Sequence, residues 1–107
     1  MMKFGQIYLR NMKKIKYSIA SEKDLANIFI IIYQDKQNVA KEYLLKIKDY
    51  IELLKTSPEM GKNCIESGFN RDCRVVYYKN YTILYKIYKT HISIKRVLNS
   101  KQNYKGK

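Results

Sequence analysis

No carboxylate side chain follows Asp72. The last 35 residues, Cys73 to Lys107, hold nine Lys and Arg and six Tyr but no Asp or Glu. The first eighteen residues show the same gap, with five cations and no acid, whereas residues 19–72 carry eight cations against nine acids. Almost the whole net charge of +13 therefore belongs to the two ends of the chain. A basic surface of this kind attracts an acidic partner, whether nucleic acid, ribosome or acidic protein. Other absences narrow the chemistry. One histidine and two cysteines in 107 residues do not make a zinc site, and nothing marks a secreted disulfide framework. There is no glycine-rich phosphate loop, no metal-spaced His/Cys/Asp/Glu cluster and no nucleophile elbow. Neither a metal nor another cofactor is expected, nor a small-molecule substrate. The densest apolar run, Ile28 to Tyr33, is far below the ~20 residues of a membrane helix. Phe4 to Leu9 is too short and too polar for a signal core. The expectation is a soluble cytoplasmic protein without a membrane partner, in which Cys64 and Cys73 are free thiols.

A chain of this length is one domain with a single core. Residues 1–13 have no clean period and read as an N-terminal extension, with Met12 a possible second start. Residues 14–103 form the domain, and 104–107 a basic C-terminal tail. The order of elements predicts an α+β fold: an N-terminal strand, an antiparallel two-helix hairpin, then a three-stranded antiparallel meander. Lys14 to Ser18 alternates like a short strand. Ser21 is placed to cap a helix whose apolar residues Leu25, Ile28, Phe29, Ile32 and Tyr33 follow at helical spacing, with Ile30 and Ile31 leaving apolar surface on a second side. Asn38 reads as the cap of the second helix, along which Ala40, Leu44, Ile47, Ile51 and Leu54 form a narrow seam. Only Asp35-Lys36-Gln37 separates the two helices, which makes them an antiparallel pair. Ser57-Pro58 ends the second helix, and Gly61 and Gly68 mark a loop. The meander strands are Arg74 to Lys79, Tyr81 to Ile87, and one built on Ile92 and Ile94. Lys79-Asn80 and Lys89-Thr90-His91 are their connections.

Few residues are placed for chemistry. His91 falls in a turn, and Glu42, Asp49 and Glu52 sit on polar helix faces near Lys46 and Lys48. Arg96 is in phase with Ile92 and Ile94, so a regular strand would turn its guanidinium toward the core. That outcome is prohibitive unless a bulge shifts the register or a partner meets the charge at the rim. Tyr77, Tyr81 and Tyr85 are good strand formers, yet tyrosines among cations are also the ingredients of a nucleotide-stacking surface. A ribonuclease lacking His or carboxylate would have to rely on such groups, with Arg or Lys stabilising the phosphorane and Tyr moving the proton.

Ser18, Ala26 and Ile28 around Asp24-Leu25, then Asn38-Val39-Ala40, Leu54-Lys55-Thr56-Ser57-Pro58 and Gly61, match the RelE/ParE toxins of bacterial toxin–antitoxin systems. Arg74, Tyr81-Thr82-Ile83-Leu84-Tyr85 and Ile92-Ser93-Ile94-Lys95-Arg96-Val97-Leu98 continue the match without a gap in the pattern of the ParE-like branch. The resemblance spans about Lys14 to Asn103. Asn99 stands where that branch usually has His. In the messenger-cleaving RelE branch an arginine follows the last strand and a tyrosine lies six residues on; those positions are Ser100 and Gly106 here. Tyr104 and Lys101 lie within a two-residue slip of them. The resemblance implies a toxin neutralised by a small acidic antitoxin, acting as a ParE-like inhibitor of DNA gyrase rather than as an enzyme. The alternative it implies is a RelE-like ribosome-dependent mRNA endoribonuclease, with Arg74, Arg96, Lys101 and Tyr104 as the catalytic set. A non-toxic nucleic-acid-binding module is a third reading. Target contacts are expected at Arg74, Arg96, Asn99, Lys101 and Tyr104, and antitoxin contacts at Phe29, Ile30, Ile31, Lys86, Lys95 and Arg96.

Overall fold

The computed structural model describes residues 13–100. The expected extension before Lys13 and the expected tail at 104–107 lie outside the described residues. The elements run β1 (Lys14–Tyr17), α1 (Ile19–Asp35), α2 (Gln37–Glu52), β2 (Lys62–Asn63), β3 (Arg74–Tyr78), β4 (Tyr81–Ile87) and β5 (His91–Asn99), with 3₁₀ turns at Leu53–Lys55 and Pro58–Met60. The α+β order is the expected one. The sheet, however, has five strands in the order β1-β5-β4-β3-β2. The meander is its antiparallel centre, β1 joins β5 in parallel (Lys14 opposite His91, Tyr17 opposite Ile94), and β2 adds a short antiparallel edge on β3. A two-residue strand has no periodicity to betray it, so the stretch around Gly61 reads as loop in the sequence.

Both helix starts differ from expectation. Ser18, not Ser21, caps α1: its hydroxyl accepts from the Ser21 N–H at 3.0 Å and donates to the Lys95 carbonyl at 3.0 Å. The strand that precedes the helix decides this, because the Ser18 N–H is already tied to the Ile94 carbonyl at 3.0 Å. That bond fixes the turn three residues ahead of Ser21, which is then buried in the first helical turn. Asn38 is likewise inside α2. Lys36 alone joins the helices, ending one and starting the other with no side-chain cap.

The main core lies between the helices and one face of the sheet. Leu25 and Ile28 of α1 and Ile47 and Ile51 of α2 meet Ile83, Tyr85, Ile92, Ile94 and Val97. Of the predicted α2 seam, Ala40, Ile47, Ile51 and Leu54 are fully buried and Leu44 is half-buried against the core. Tyr85 is the keystone. Its buried hydroxyl donates to the Pro58 carbonyl at 2.6 Å and accepts from the Gly61 N–H at 3.0 Å. A Cβ on Gly61 would lie 2.6 Å from that hydroxyl and 2.9 Å from the Val75 carbonyl, so only glycine lets the chain pass.

The opposite face of the sheet carries a smaller cluster of Cys64, Phe69, Cys73, Val75, Leu84 and Leu98. Here the expectation of free thiols is overturned: Cys64 and Cys73 form a disulfide. The β2–β3 ladder pairs Asn63 with Arg74. The next residues out, Cys64 and Cys73, are therefore cross-strand neighbours with Cα atoms 5.2 Å apart and the Cys64 N–H bonded to the Cys73 carbonyl. Compartment habits carried the sequence expectation, and the pairing was invisible without β2. Between the cysteines an Asx turn closes on the Asn63 carboxamide, which accepts from Ile65 and Glu66. Gly68 supplies the left-handed step at φ 97°.

Candidate functional site

Alternation along β4 separates the two faces. Ile83 and Tyr85 point into the helix-side core, and Leu84 joins the disulfide cluster. Lys86, two residues past Leu84, shares its face. On β5 the alternation breaks. Leu84 pairs with Arg96 but Tyr85 pairs with Ile94, so β5 has one extra residue at Lys95. This bulge solves the problem that Arg96 posed. It restores Val97 to the helix-side core and brings the Arg96 guanidinium to Asp24 on α1, with Nε and Nη2 donating to the two carboxylate oxygens at 2.7 and 3.0 Å. The Val97 N–H adds a third bond to the same carboxylate at 2.9 Å.

Beside this pair α1 overhangs the end of the sheet. Ile28, Ile30 and Ile31 face Tyr81, Val97 and Asn99 across a groove of about 330 Å³. Ile30 is 51% and Ile31 66% exposed, whereas Phe29 is half-buried and stacked on Tyr33 at 5.7 Å. The groove is an apolar slot with a polar rim, suited to an inserted apolar side chain. Thr82 and Ser100 share a hydroxyl contact at 2.7 Å, and the Ser100 N–H meets the Asn80 carbonyl at 2.6 Å. The chain therefore leaves the described residues at the rim of this groove.

A second constellation lies on the opposite face, at the β4–β5 hairpin. The Lys95 ammonium donates to the Tyr88 hydroxyl at 3.0 Å. Lys95 and Lys86 place their ammoniums 5.1 and 5.6 Å from the Tyr88 ring centre, and His91 stacks on that ring at 4.9 Å. The hydrogen bond from Lys95, with the charges of Lys95 and Lys86, holds the Tyr88 phenol below its ordinary value. Asp72, bonded to Lys86 at 3.1 Å, holds that ammonium above its own. Arg71 and Cys73 complete the rim.

The residues singled out in the sequence are thus divided. Arg74 and Arg96 flank β4 at successive positions, opposite Tyr85 and Leu84, but do not converge. Arg74 donates to the Gly61 carbonyl at 2.8 Å and the Glu59 carbonyl at 3.4 Å, pinning the turn under Tyr85. Asn99 sits with Ile30 and Ile31 at the groove, while Lys86 and Lys95 meet on the other face. Lys101 and Tyr104 lie outside the described residues. Most tyrosines pack: Tyr43 meets Tyr81 edge-on at 6.0 Å, and Tyr50 meets Tyr78 at 5.0 Å. Burial raises the phenols of Tyr43, Tyr50 and Tyr81, and Tyr17 is pushed up to about 12, chiefly by burial and then by Glu52. Tyr88, Arg71 and Asp72 are the group that sequence reasoning passed over, and His91, read there as a turn residue, opens β5. The spacing of Lys86 and Tyr88 on one strand face, and of Lys95 out of phase with Ile92 and Ile94, was a usable signal; the β4–β5 register that brings them together was not. Among the described residues no group of His, Cys, Asp and Glu is placed to hold a metal, and no helix is long and apolar enough to cross a membrane.

Comparison with known proteins agrees with this geometry. A solved structure described as the chromosomal ParDE TA system from P. aeruginosa superposes with a TM-score of 0.52 at 18% identity, covering 83% of this chain and 97% of that one. At that identity the likeness speaks for the fold. No curated protein matches the sequence. The family described as the ParE toxin of the type II toxin–antitoxin system parDE matches residues 15–104, a span that holds the helix hairpin, the bulged β5 and both constellations. The chain belongs to the ParE toxin family of type II toxin–antitoxin systems.

Proposed function

We propose that this protein is a toxin that stops replication by inhibiting DNA gyrase, has no hydrolytic chemistry of its own, and is silenced by an acidic antitoxin. The observation that carries the choice of target is the ungapped ParE-type pattern of the sheet strands, followed in the sequence by Ser100 and Gly106 where the RelE branch has arginine and tyrosine. Two of the four residues a ribonuclease would draw on, Arg74 and Arg96, also have structural partners in the Gly61 carbonyl and Asp24. Arg74, Arg96, Asn99, Lys101 and Tyr104 remain the proposed target contacts, with Asn99 at the groove and Arg74 four positions along β4 from it, opposite Tyr85. Purified toxin is expected to inhibit supercoiling by gyrase and to leave messenger intact on translating ribosomes. Cleavage of messenger with unaffected supercoiling would reverse the assignment. Tight nucleic-acid binding with no growth defect on expression would indicate the non-toxic module. The site of action is the cytoplasm, where gyrase and the antitoxin are found.

The antitoxin is proposed to lay an amphipathic acidic segment along α1, with apolar side chains against Phe29 and in the groove of Ile30 and Ile31 and its carboxylates toward Arg96, while Lys86 and Lys95, on the opposite face, draw it in by long-range attraction. An apolar anchor at a groove centre carries much of the energy of such a contact. Ile31→Asp is therefore expected to weaken the complex by roughly 30-fold. Lys86→Glu with Lys95→Glu should mainly slow association and flatten its salt dependence. Titration calorimetry and stopped-flow association at two ionic strengths measure both. Unchanged affinity and salt dependence in the two variants would sink this footprint.

A further inference from the structure

We propose that the face of the sheet opposite the helices carries a binding site for the phosphodiester backbone of a nucleic acid, formed by Lys86, Lys95, Arg71 and Tyr88. This goes beyond the antitoxin reading and stands without it, because it concerns the toxin chain alone.

Ile92 and Ile94 face the helix-side core, so alternation along β5 puts Lys95 on the same side as Lys86, and both ammoniums converge on a single phenol, 5.1 and 5.6 Å from its centre. Two like charges held together repel, and they are an anion site when no counter-charge cancels them. Arg71 adds a third cation to the depression of about 420 Å³, against one acid, Asp72. Asp72 does not close the account: its side chain is 87% exposed, and a surface pair of that kind contributes little and exchanges readily with a competing anion. The Tyr88 hydroxyl, which accepts from Lys95, keeps its own proton to donate to a phosphate oxygen. His91 lies flat against Tyr88, with 16° between the rings, so cations and aromatics are interleaved as in surfaces that track single strands. The disulfide places Arg71 and Asp72, since Cys73 follows them directly and is tied to the sheet.

An acidic polypeptide is the less suitable occupant. Amphipathic segments need apolar surface to bury, and the apolar groove is on the other side of the molecule. The lining here is charged and polar apart from Cys73 and the Tyr88 ring.

The test is fluorescence anisotropy of the full chain, without antitoxin, against a labelled single-stranded RNA and a labelled duplex DNA over a range of salt. Lys86→Gln with Lys95→Gln is compared with Lys23→Gln with Lys41→Gln, which removes the same charge from exposed helix positions. The site pair is expected to lose about tenfold in affinity. Its log–log salt slope should fall by about 1.4 for RNA or about 1.8 for duplex DNA, the value of two phosphate contacts. The helix pair should lose under about twofold. Loss with RNA, with DNA or with both supports the site and identifies its source of phosphate. Tyr88→Phe, which keeps the ring and removes the hydroxyl that holds Lys95, should weaken binding severalfold with an unchanged melting temperature, and it serves if the double variant does not fold. Equal losses in the two lysine pairs would mean that net charge alone binds nucleic acid and would overturn the proposal. So would polyglutamate binding to the Lys86/Lys95 face more tightly than either nucleic acid.

Discussion

Asp24→Ala is expected to destabilise the protein by about 3 kcal/mol, a drop in melting temperature of about 15 °C for a domain of this size. The carboxylate is 12% exposed and the facing Arg96 side chain 35% exposed. Removing it breaks two guanidinium bonds and leaves the Val97 N–H without that acceptor. Breaking a buried pair from one side costs about 3–5 kcal/mol, and partial exposure of the guanidinium reduces that. The stranded N–H adds about 1 kcal/mol or more. Asp24→Asn keeps the shape and one acceptor oxygen, so it should recover about half of the loss. Arg96→Met in the Asp24→Ala background should cost less than the two single changes together, because the two side chains contact each other and the second change removes no contact with Asp24. Urea unfolding of the four proteins measures the cycle. A change within about 0.5 kcal/mol for Asp24→Ala would show that the pair does not hold the bulge in place. The contact also bears on the proposed antitoxin groove, because α1 and β5 both line it and this pair joins them.

Loss of the Cys64–Cys73 bond is expected to cost about 2.5 kcal/mol, the loop-closure entropy of a short loop in the unfolded chain. The cysteines are nine positions apart and both are buried, with Phe69 packed between the loop and Val75, Leu84 and Leu98. Burial limits the access of an attacking thiolate, so the bond should survive mild thiol treatment of the native protein and break once the loop opens. Thermal melting of the oxidised protein, the fully reduced protein and Cys73→Ala measures the effect. Alkylation of the native, unreduced protein followed by intact mass tests the bond itself. Two alkylated thiols, or a melting temperature that does not respond to reduction, would contradict it. Because Cys73 anchors Arg71 and Asp72 at the Tyr88 constellation, reduction should also weaken that site, whereas the groove on the other face should be unaffected.

The legible part of the fold was the part set by local pattern. The α2 seam of Ala40, Ile47, Ile51 and Leu54 is buried as its spacing requires, and Tyr81–Ile87 is a strand over the range its alternation marks. Ile30 and Ile31 are exposed because a helix with apolar residues on two sides cannot bury both. Capping was less legible. Ser18 and Ser21 are equally good N-cap residues, and the choice between them was made by the bond from Ser18 to Ile94, a strand 76 positions away in the chain.

The sequence by itself determined the element order, the amphipathic helix hairpin and a basic sheet, because each follows from residue periodicity and charge within a window of a few turns or strands. Its family pattern, too, was carried by the order and spacing of those elements. What only the tertiary structure decided is how distant residues meet. The in-phase Arg96 required either a bulge or a partner, and the fold supplies both: an extra residue at Lys95 and the carboxylate of Asp24. The pairing of β4 with β5 brings Lys95 to Tyr88 and Lys86, which neither strand encodes alone. The two-residue β2 makes Cys64 and Cys73 neighbours and so a disulfide. Register is a property of paired strands, fixed by the summed burial of every residue in the ladder, and a single stretch of sequence does not contain its partner.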